Sequence, residues 1–215
     1  MYVPEHFKAV DADALIARLA RRFAGILVSV DTEGTPMATH MPVIWDGPRQ
    51  VAIGHVARAN PQWKLGAGPA LIVLAGRQAY VSPSFYPSKA EHGKTVPTWN
   101  YEAVHLSGTV EWFDDAARLE EIVRALSEFH EGDRAKPWRV EDAPASYIDA
   151  MLRGIVGVEM RVERVEAKRK LSQNKNAADF DGVIVGLDEA PDADSREIAA
   201  LMRATRAVSD DPDGN

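Results

Sequence analysis

The segment GHVARANPQW, residues 54–63, places His55, Arg58 and an Asn60–Pro61 pair directly behind the apolar run Val51–Ala52–Ile53. Asn60 reads as a helix N-cap and Pro61 as the first helical residue, where a missing N–H costs nothing. Unpaired N–H groups at a helix start also favour an anion, and Arg58 adds a permanently charged fork suited to phosphate. Two readings stand: a capped helix start without a ligand, and a phosphate seat. The stretches SPSFYPSK and VPTWNY bring together Ser82, Ser84, Phe85, Tyr86, Trp99, Asn100 and Tyr101. Planar rings beside amide and hydroxyl groups suit a flat heteroaromatic ligand, and equally suit loop aromatics that close the end of a barrel. The third concentration is KRKLSQNK, with Lys168, Arg169, Lys170 and Lys175 around Ser172, Gln173 and Asn174. A solvated edge strand carries lysines in the same way. Period-two geometry sends Lys168, Lys170 and Ser172 to one face and Arg169 to the other, so the four charges cannot all meet one partner. The expectation is that Lys170 and Ser172 face a pocket while Arg169 serves structure or solvent.

Other chemistries find little footing. The chain has no cysteine, hence no thiolate nucleophile, no disulfide framework and no thiolate metal site. Its six histidines include no pair at helical ligand spacing, and no metal is assigned. A Gly-x-Ser-x-Gly elbow, a dinucleotide glycine pattern and a Walker loop are all missing, so no catalytic residue is assigned. The formal net charge is -7, and much of it lies in residues 188–215, where eight Asp or Glu oppose three Arg. A nearly neutral body weighs against binding DNA through its phosphates, which needs a clear basic face. No apolar run approaches the roughly 20 residues of a membrane span, and MYVPEHFKAV lacks the basic start and apolar core of a leader. A soluble, unprocessed cytoplasmic protein is expected.

The elements that must position these residues follow from hydrophobic period. Leu15, Ile16, Leu19 and Phe23 predict a helix over 12–23. Strands are predicted over 25–31, 36–46 and 50–57 as an antiparallel meander, with turn chemistry at TEGT and GPR. PALIVLAGR, residues 69–77, reads as a strand buried on both faces, and 79–84 as its extension. In VHLSGTVEWF, Val104, Leu106, Val110 and Trp112 share one parity, the mark of a half-buried strand. Leu119, Ile122, Val123, Leu126 and Phe129 form a helical stripe over 115–130, and a short helix is predicted over 145–153, ended by Gly154. In the last strand the apolar parity is even through Val162 and odd from Val165, which predicts a bulge near Glu163–Arg164. Beyond Leu187 the composition turns acidic: a short helix capped by Ser195 is expected, then disorder over the last seven residues. The whole reads as mainly β with peripheral helices (α+β), an antiparallel barrel of six or so strands.

Taken in order, MYVPEHF, GHVARANPQW, YVSPSFYPSK, VPTWNYEAVHLSG, PWRVEDAP and IVGVEMRVERVEAKRKLSQN resemble the PaiB family, the so-called FMN-binding negative transcriptional regulators. The resemblance covers residues 1–187 and leaves 188–215 as an acidic C-terminal segment. It implies an FMN-binding split β-barrel, a homodimer with FMN at the subunit interface. Its motifs point to Arg58, Asn60, Trp99, Asn100, Tyr101, Lys170, Ser172 and Gln173 as cofactor contacts. FMN supplies a phosphate for Arg58 and a planar ring for the aromatics, and would itself carry any hydride transfer. Three functions are open: an FMN-binding negative transcriptional regulator with DNA as a partner, a flavin-dependent oxidoreductase on the same dimer, and a split barrel whose flavin pocket has lapsed.

Overall fold

The computed structural model describes residues 1–210, with side chains through Arg206. In chain order it holds α1 (Ala12–Arg22), β1 (Gly25–Val30), β2 (Pro36–Met41), β3 (Ile44–Asp46), β4 (Val51–Ala57), β5 (Gly68–Val81), α2 (Ser88–His92), β6 (Thr98–Phe113), α3 (Ala116–Glu131), α4 (Ala145–Arg153), β7 (Ile155–Lys170), α5 (Ala177–Asp188) and α6 (Ala193–Asp210). One seven-stranded sheet runs in the order β2-β1-β5-β6-β7-β4-β3, with β2 and β3 at its ends, so among the described residues the ladder is not closed. The fold is mainly antiparallel β with peripheral helices, in the split-barrel class expected.

The meander expectation is corrected in one place. The predicted strand over 36–46 breaks at Pro42–Val43, because Pro42 has no N–H for a ladder. Its first half pairs back on β1 (Gly25↔Met41), and its second half pairs forward on β4 (Ile44↔Ile53). Each hairpin then takes a distant neighbour: β1 pairs with β5 (Leu27↔Ile72) and β4 with β7 (Gly54↔Val158). Gly54 is required where β4 passes the break, since a Cβ there would stand 2.3 Å from the Pro42 carbonyl oxygen. A second correction concerns β5. Ile72 and Leu74 are buried while Leu71 and Val73 are only half-buried, so the strand has one covered face, as antiparallel sheets commonly do.

The chain divides into two compact units. The larger comprises Asp11–Ala75 and Val104–Glu166. Its core is the inward parity of the strands, Leu27, Ile72, Leu74, Val104, Leu106, Val110, Val158 and Met160, covered by Leu15, Ile16 and Leu19 of α1 and by Leu119, Ile122 and Leu126 of α3. The smaller comprises Met1–Val10, Gly76–Ala103 and Ala167–Asn215. There α5 and α6 bury Phe180, Val183, Ile184, Leu187, Ile198, Ala199 and Met202 against Ala79, Val81, Tyr86 and Leu171. The acidic segment thus supplies apolar residues to this core. Asp192, rather than Ser195, caps α6: its carboxylate accepts from both the backbone N–H and the hydroxyl of Ser195 at 2.8 Å. The disorder expected for the last residues lies, beyond Asp210, outside the described residues. Along β7, Glu163 and Arg164 are consecutively exposed, and burial resumes at Ala167, which is the parity change read from the sequence.

Candidate functional site

In the larger unit, β4 ends at Ala57 and the chain turns through Arg58 into a 3-10 helix, Pro61–Leu65. Asn60 caps it as expected: its side-chain oxygen accepts from the Gln62 N–H at 2.9 Å, while its amide nitrogen donates to Thr39 Oγ1 at 2.7 Å. Arg58 is anchored through its guanidinium. Nε donates to the Arg153 carbonyl at 2.8 Å, one terminal nitrogen to the Ile155 carbonyl at 3.1 Å, and the other faces Asp114 Oδ2 at 3.3 Å. A guanidinium has five N–H groups, so two stay available beside the exposed Asp114 carboxylate. Arg58 and Asp114 line a cavity of about 150 Å³ with Asp149, Leu152 and Arg153. Two further polar atoms of this segment are buried without a partner, Gln62 Oε1 and His55 Nδ1, and burial pulls the His55 imidazole below its ordinary range.

The other expected residues gather in the smaller unit, where Thr98–Ala103 of β6 and Ala167–Lys170 of β7 lie. Trp99, Asn100 and Tyr101 are not a loop but the opening of β6, and so alternate. Asn100 is fully buried while Trp99 is 50% exposed and meets Tyr80 edge to face at 5.9 Å between centroids. Asn100 and Ser172 bond reciprocally: the amide nitrogen donates to Ser172 Oγ at 3.0 Å, and that hydroxyl donates back to Asn100 Oδ1 at 3.1 Å. The amide also donates to Met202 Sδ at 3.4 Å. Ser172 sits at φ 65, a left-handed conformation that its bonds to Asn100 help to hold. Gln173 clasps its own turn, accepting from Leu171 N and donating to the Arg169 carbonyl, both at 2.7 Å. Asn100, Ser172 and Gln173 are therefore occupied within the chain and set the end of β7.

The cations of KRKLSQNK separate as the strand period requires. Arg169 turns to Glu102, a fully buried carboxylate on β6, with Nε donating at 3.0 Å. Lys170 donates to Thr98 Oγ1 at 2.6 Å and to the Trp99 carbonyl. Burial first, and then the charges of Lys168 and Lys175, hold its ammonium below the usual lysine range. Lys168, 6% exposed, donates to the Tyr2 carbonyl at 3.1 Å and faces the rings of Tyr2, Phe7 and Tyr101 at 5.3 to 5.9 Å. Phe85 and Tyr86, read as candidate stacking rings, are packing residues instead. The Phe85 ring lies across Gly186 of α5, while Gly182 makes room for the Phe85 carbonyl and Pro87, and Tyr86 is buried in the core of the smaller unit. Sequence reasoning missed Thr98 and Glu102. Their signal was parity: Glu102 shares the inward face with Asn100 and Val104, where a carboxylate requires a partner. A cavity of about 510 Å³ beside α3, lined by Arg124, Trp138, Arg139 and Glu141, contains none of the expected residues.

Residues 1–164 match the family described as "Putative FMN-binding domain". Along nearly its full length the chain is also similar to "Protease synthase and sporulation protein PAI 2" of Bacillus subtilis, 32% identical over 94% of this chain and 96% of that protein. The chain belongs to the PaiB family of FMN-binding proteins. An uncharacterized protein of Aspergillus fumigatus is 35% identical over 63% of this chain and 65% of its own length. Among solved structures, the conserved hypothetical protein Rv2991 of Mycobacterium tuberculosis matches with a TM-score of 0.56 at 14% identity, covering 81% of this chain and 92% of that one. The FAD and heme binding protein of Mycobacterium smegmatis matches with a TM-score of 0.54 at 13% identity, covering 80% and 78%. At such identities these structures speak for the fold alone.

FMN is the cofactor of this PaiB-family chain. The donor chemistry agrees with it within each unit. In the smaller one, the Lys170 ammonium keeps one N–H to spare beside Thr98 Oγ1 and the backbone carbonyl of Trp99, whose indole is half-exposed, donor and ring types that a flavin and its carbonyl edge call for. In the larger one, Arg58 keeps two N–H groups beyond its two carbonyl partners, and the carboxylate it faces, Asp114, is exposed, a group that a phosphate can displace. Among the described residues no helix is long and apolar enough to cross a membrane.

Proposed function

We propose that this chain is a homodimeric, cytoplasmic flavoprotein whose FMN is its working group, turned to oxidoreductase chemistry on a small molecule. The observation that carries the reading is the distribution of charge. Arg21, Arg77, Arg118, Arg124, Arg203 and Arg206 each face a carboxylate, so their charge is met within the chain and is less available to a phosphate backbone. Lys170, by contrast, sets its ammonium on the backbone carbonyl of Trp99, a residue whose ring is half-exposed, and faces no carboxylate among the described residues.

In this reading Arg58 holds the FMN phosphate, with Asn60 fixing the turn beside it. Trp99 and Tyr101 give apolar surface to the ring, and Lys170 donates to its polar edge. Asn100, Ser172 and Gln173 hold β6 and the end of β7 in place for that contact. Bound FMN supplies hydride acceptance and donation. A second reading, negative regulation of transcription with DNA as partner, draws on the basic run Lys168–Lys170 and on the name of the Bacillus relative, which ties that protein to protease synthase and sporulation.

The experiment is a visible absorbance spectrum of the purified protein, followed by anaerobic reduction with NADH or NADPH and a DNA gel shift across a salt series. Flavin absorbance, bleaching by a nicotinamide donor and no salt-sensitive shift are expected. A colourless protein that shifts DNA would overturn the reading.

A further inference from the structure

Arg21 and Arg22 close α1, and His130 stands in the last turn of α3. Basic groups there complement the partial negative charge at the C-terminal end of a helix. The chain leaves α1 through Phe23 in extended backbone and enters β1 at Gly25, which pairs with Met41 at the end of β2. That register sets the end of α1 beside His40, a strand residue for which no helix dipole accounts. The end of α3 comes to the same place: the Arg21 guanidinium lies 5.3 Å over the centroid of the Phe129 ring and donates to Asp133. Arg21, Arg22, His40 and His130 thereby line one cavity of about 360 Å³, and among the described residues no carboxylate lines it. All four belong to the larger unit.

Their donors are positioned but not used up. A guanidinium has five N–H groups, and Arg21 gives one terminal nitrogen to Asp133, whose side chain is 85% exposed. The Arg22 guanidinium lies 5.7 Å over the Phe23 ring, which orients its plane. Among the described residues neither His40 nor His130 has a hydrogen-bond partner, and His130 meets the Phe129 ring edge to face. Gathering two guanidinium groups and two imidazoles around one hollow, with a single carboxylate outside its lining, leaves like-charge repulsion that an anion would relieve. The guanidinium fork matches phosphate oxygens. Beneath the donors the lining is apolar and buried, at Ala20 and Met41. A hollow of this size lies in the range of small-molecule pockets, about 300 to 1,000 Å³, so its floor calls for a carbon body attached to the anion.

We propose that this cavity binds a small organic phosphate, with Arg21, Arg22, His40 and His130 around the phosphate and Ala20 and Met41 beneath the carbon body. None of these residues is among the FMN contacts read above, so the site goes beyond the flavin reading and stands or falls apart from it. A phosphate group can come from FMN itself or from a separate molecule, and the experiment separates the two.

The test titrates phenyl phosphate, with phenol as the uncharged control, into the protein with and without saturating FMN, read by calorimetry. The chains compared are wild type, Arg22→Gln, Arg22→Lys and His40→Gln, with Tm and flavin absorbance recorded for each. Phenyl phosphate is expected to bind wild type equally in the presence and absence of FMN, and phenol to show no binding. Arg22→Gln should weaken phenyl phosphate by about tenfold, the loss of a hydrogen bond to a charged group. Arg22→Lys, which keeps the charge, should recover part of that loss. His40 is exposed on its strand, so His40→Gln should keep the wild-type Tm and still weaken binding. Wild-type affinity in both glutamine variants, or no binding to wild type at millimolar phenyl phosphate, would overturn the proposal. Binding that saturating FMN abolishes would overturn it too, because the phosphate would then occupy the flavin seat. A colourless protein that still binds phenyl phosphate in the expected pattern would remove the flavin reading and support this one.

Discussion

Glu102 and Arg169 form a buried ion pair between β6 and β7, the carboxylate with no exposed side-chain surface and the guanidinium 23% exposed, at 3.0 Å. Such a pair contributes little net stability when intact, yet breaking it strands a charge in the core. Arg169→Ala should therefore destabilise the protein by about 3 to 5 kcal/mol. Urea unfolding and FMN titration of the same sample check this. A large loss of stability with FMN affinity nearly kept is the expected result, and the reverse would give Arg169 to the cofactor.

Arg58 joins the carbonyls of Arg153 and Ile155 and still has N–H groups to offer. Arg58→Ala should weaken FMN by about 1.5 to 3 kcal/mol, the worth of a hydrogen bond to a charged group, and leave riboflavin, which lacks the phosphate, nearly unchanged. Equal losses for the two ligands in fluorescence titrations would reduce Arg58 to a tether between carbonyls.

Gly186 allows the Phe85 ring to lie on α5, where a Cβ would stand 2.2 Å from its Cδ1. Alanine normally favours an exposed helix position over glycine by up to about 1 kcal/mol. The clash should outweigh that here, so Gly186→Ala is expected to cost about 1 to 3 kcal/mol, as overpacking does. Adding Phe85→Leu to Gly186→Ala should recover part of the loss in a thermal melt, whereas additive losses would place the strain elsewhere.

Burial alone would raise the Asp179 pKa, but hydrogen bonds from the Ser88 N–H and hydroxyl, the charge of Lys175 and the Asn176 amide outweigh it and hold the carboxyl below its ordinary range. A depressed carboxylate stabilises the fold above the unfolded value of about 3.9, and that contribution is lost as pH falls below it toward the folded value. Ser88→Ala should narrow the gap, so its destabilisation should be evident at pH 7 and shrink below about pH 4. A cost that stays constant across an acid titration of stability would assign Ser88 to packing only.

Periodicity, capping chemistry and motif order, all local properties of the chain, were enough to place α1, α3, α4, the half-buried parity of β6, the Asn60 cap and the parity change in β7, and to reach the PaiB family with its FMN. They also foretold that Arg169 would turn away from Lys170, because alternation along a strand needs no knowledge of the neighbour. Tertiary structure decided what lies across from each strand. Pro42 splits one predicted strand, so β1 pairs with β5 and β4 with β7. It also decided which polar groups are occupied: Asn100 meets Ser172 across 72 residues of sequence, Gln62 reaches Leu27 and Ser29, and Phe85 finds the groove left by Gly182 and Gly186. Such pairings leave no period in the sequence, since their energy is realised only when distant segments close into contact and exclude water together.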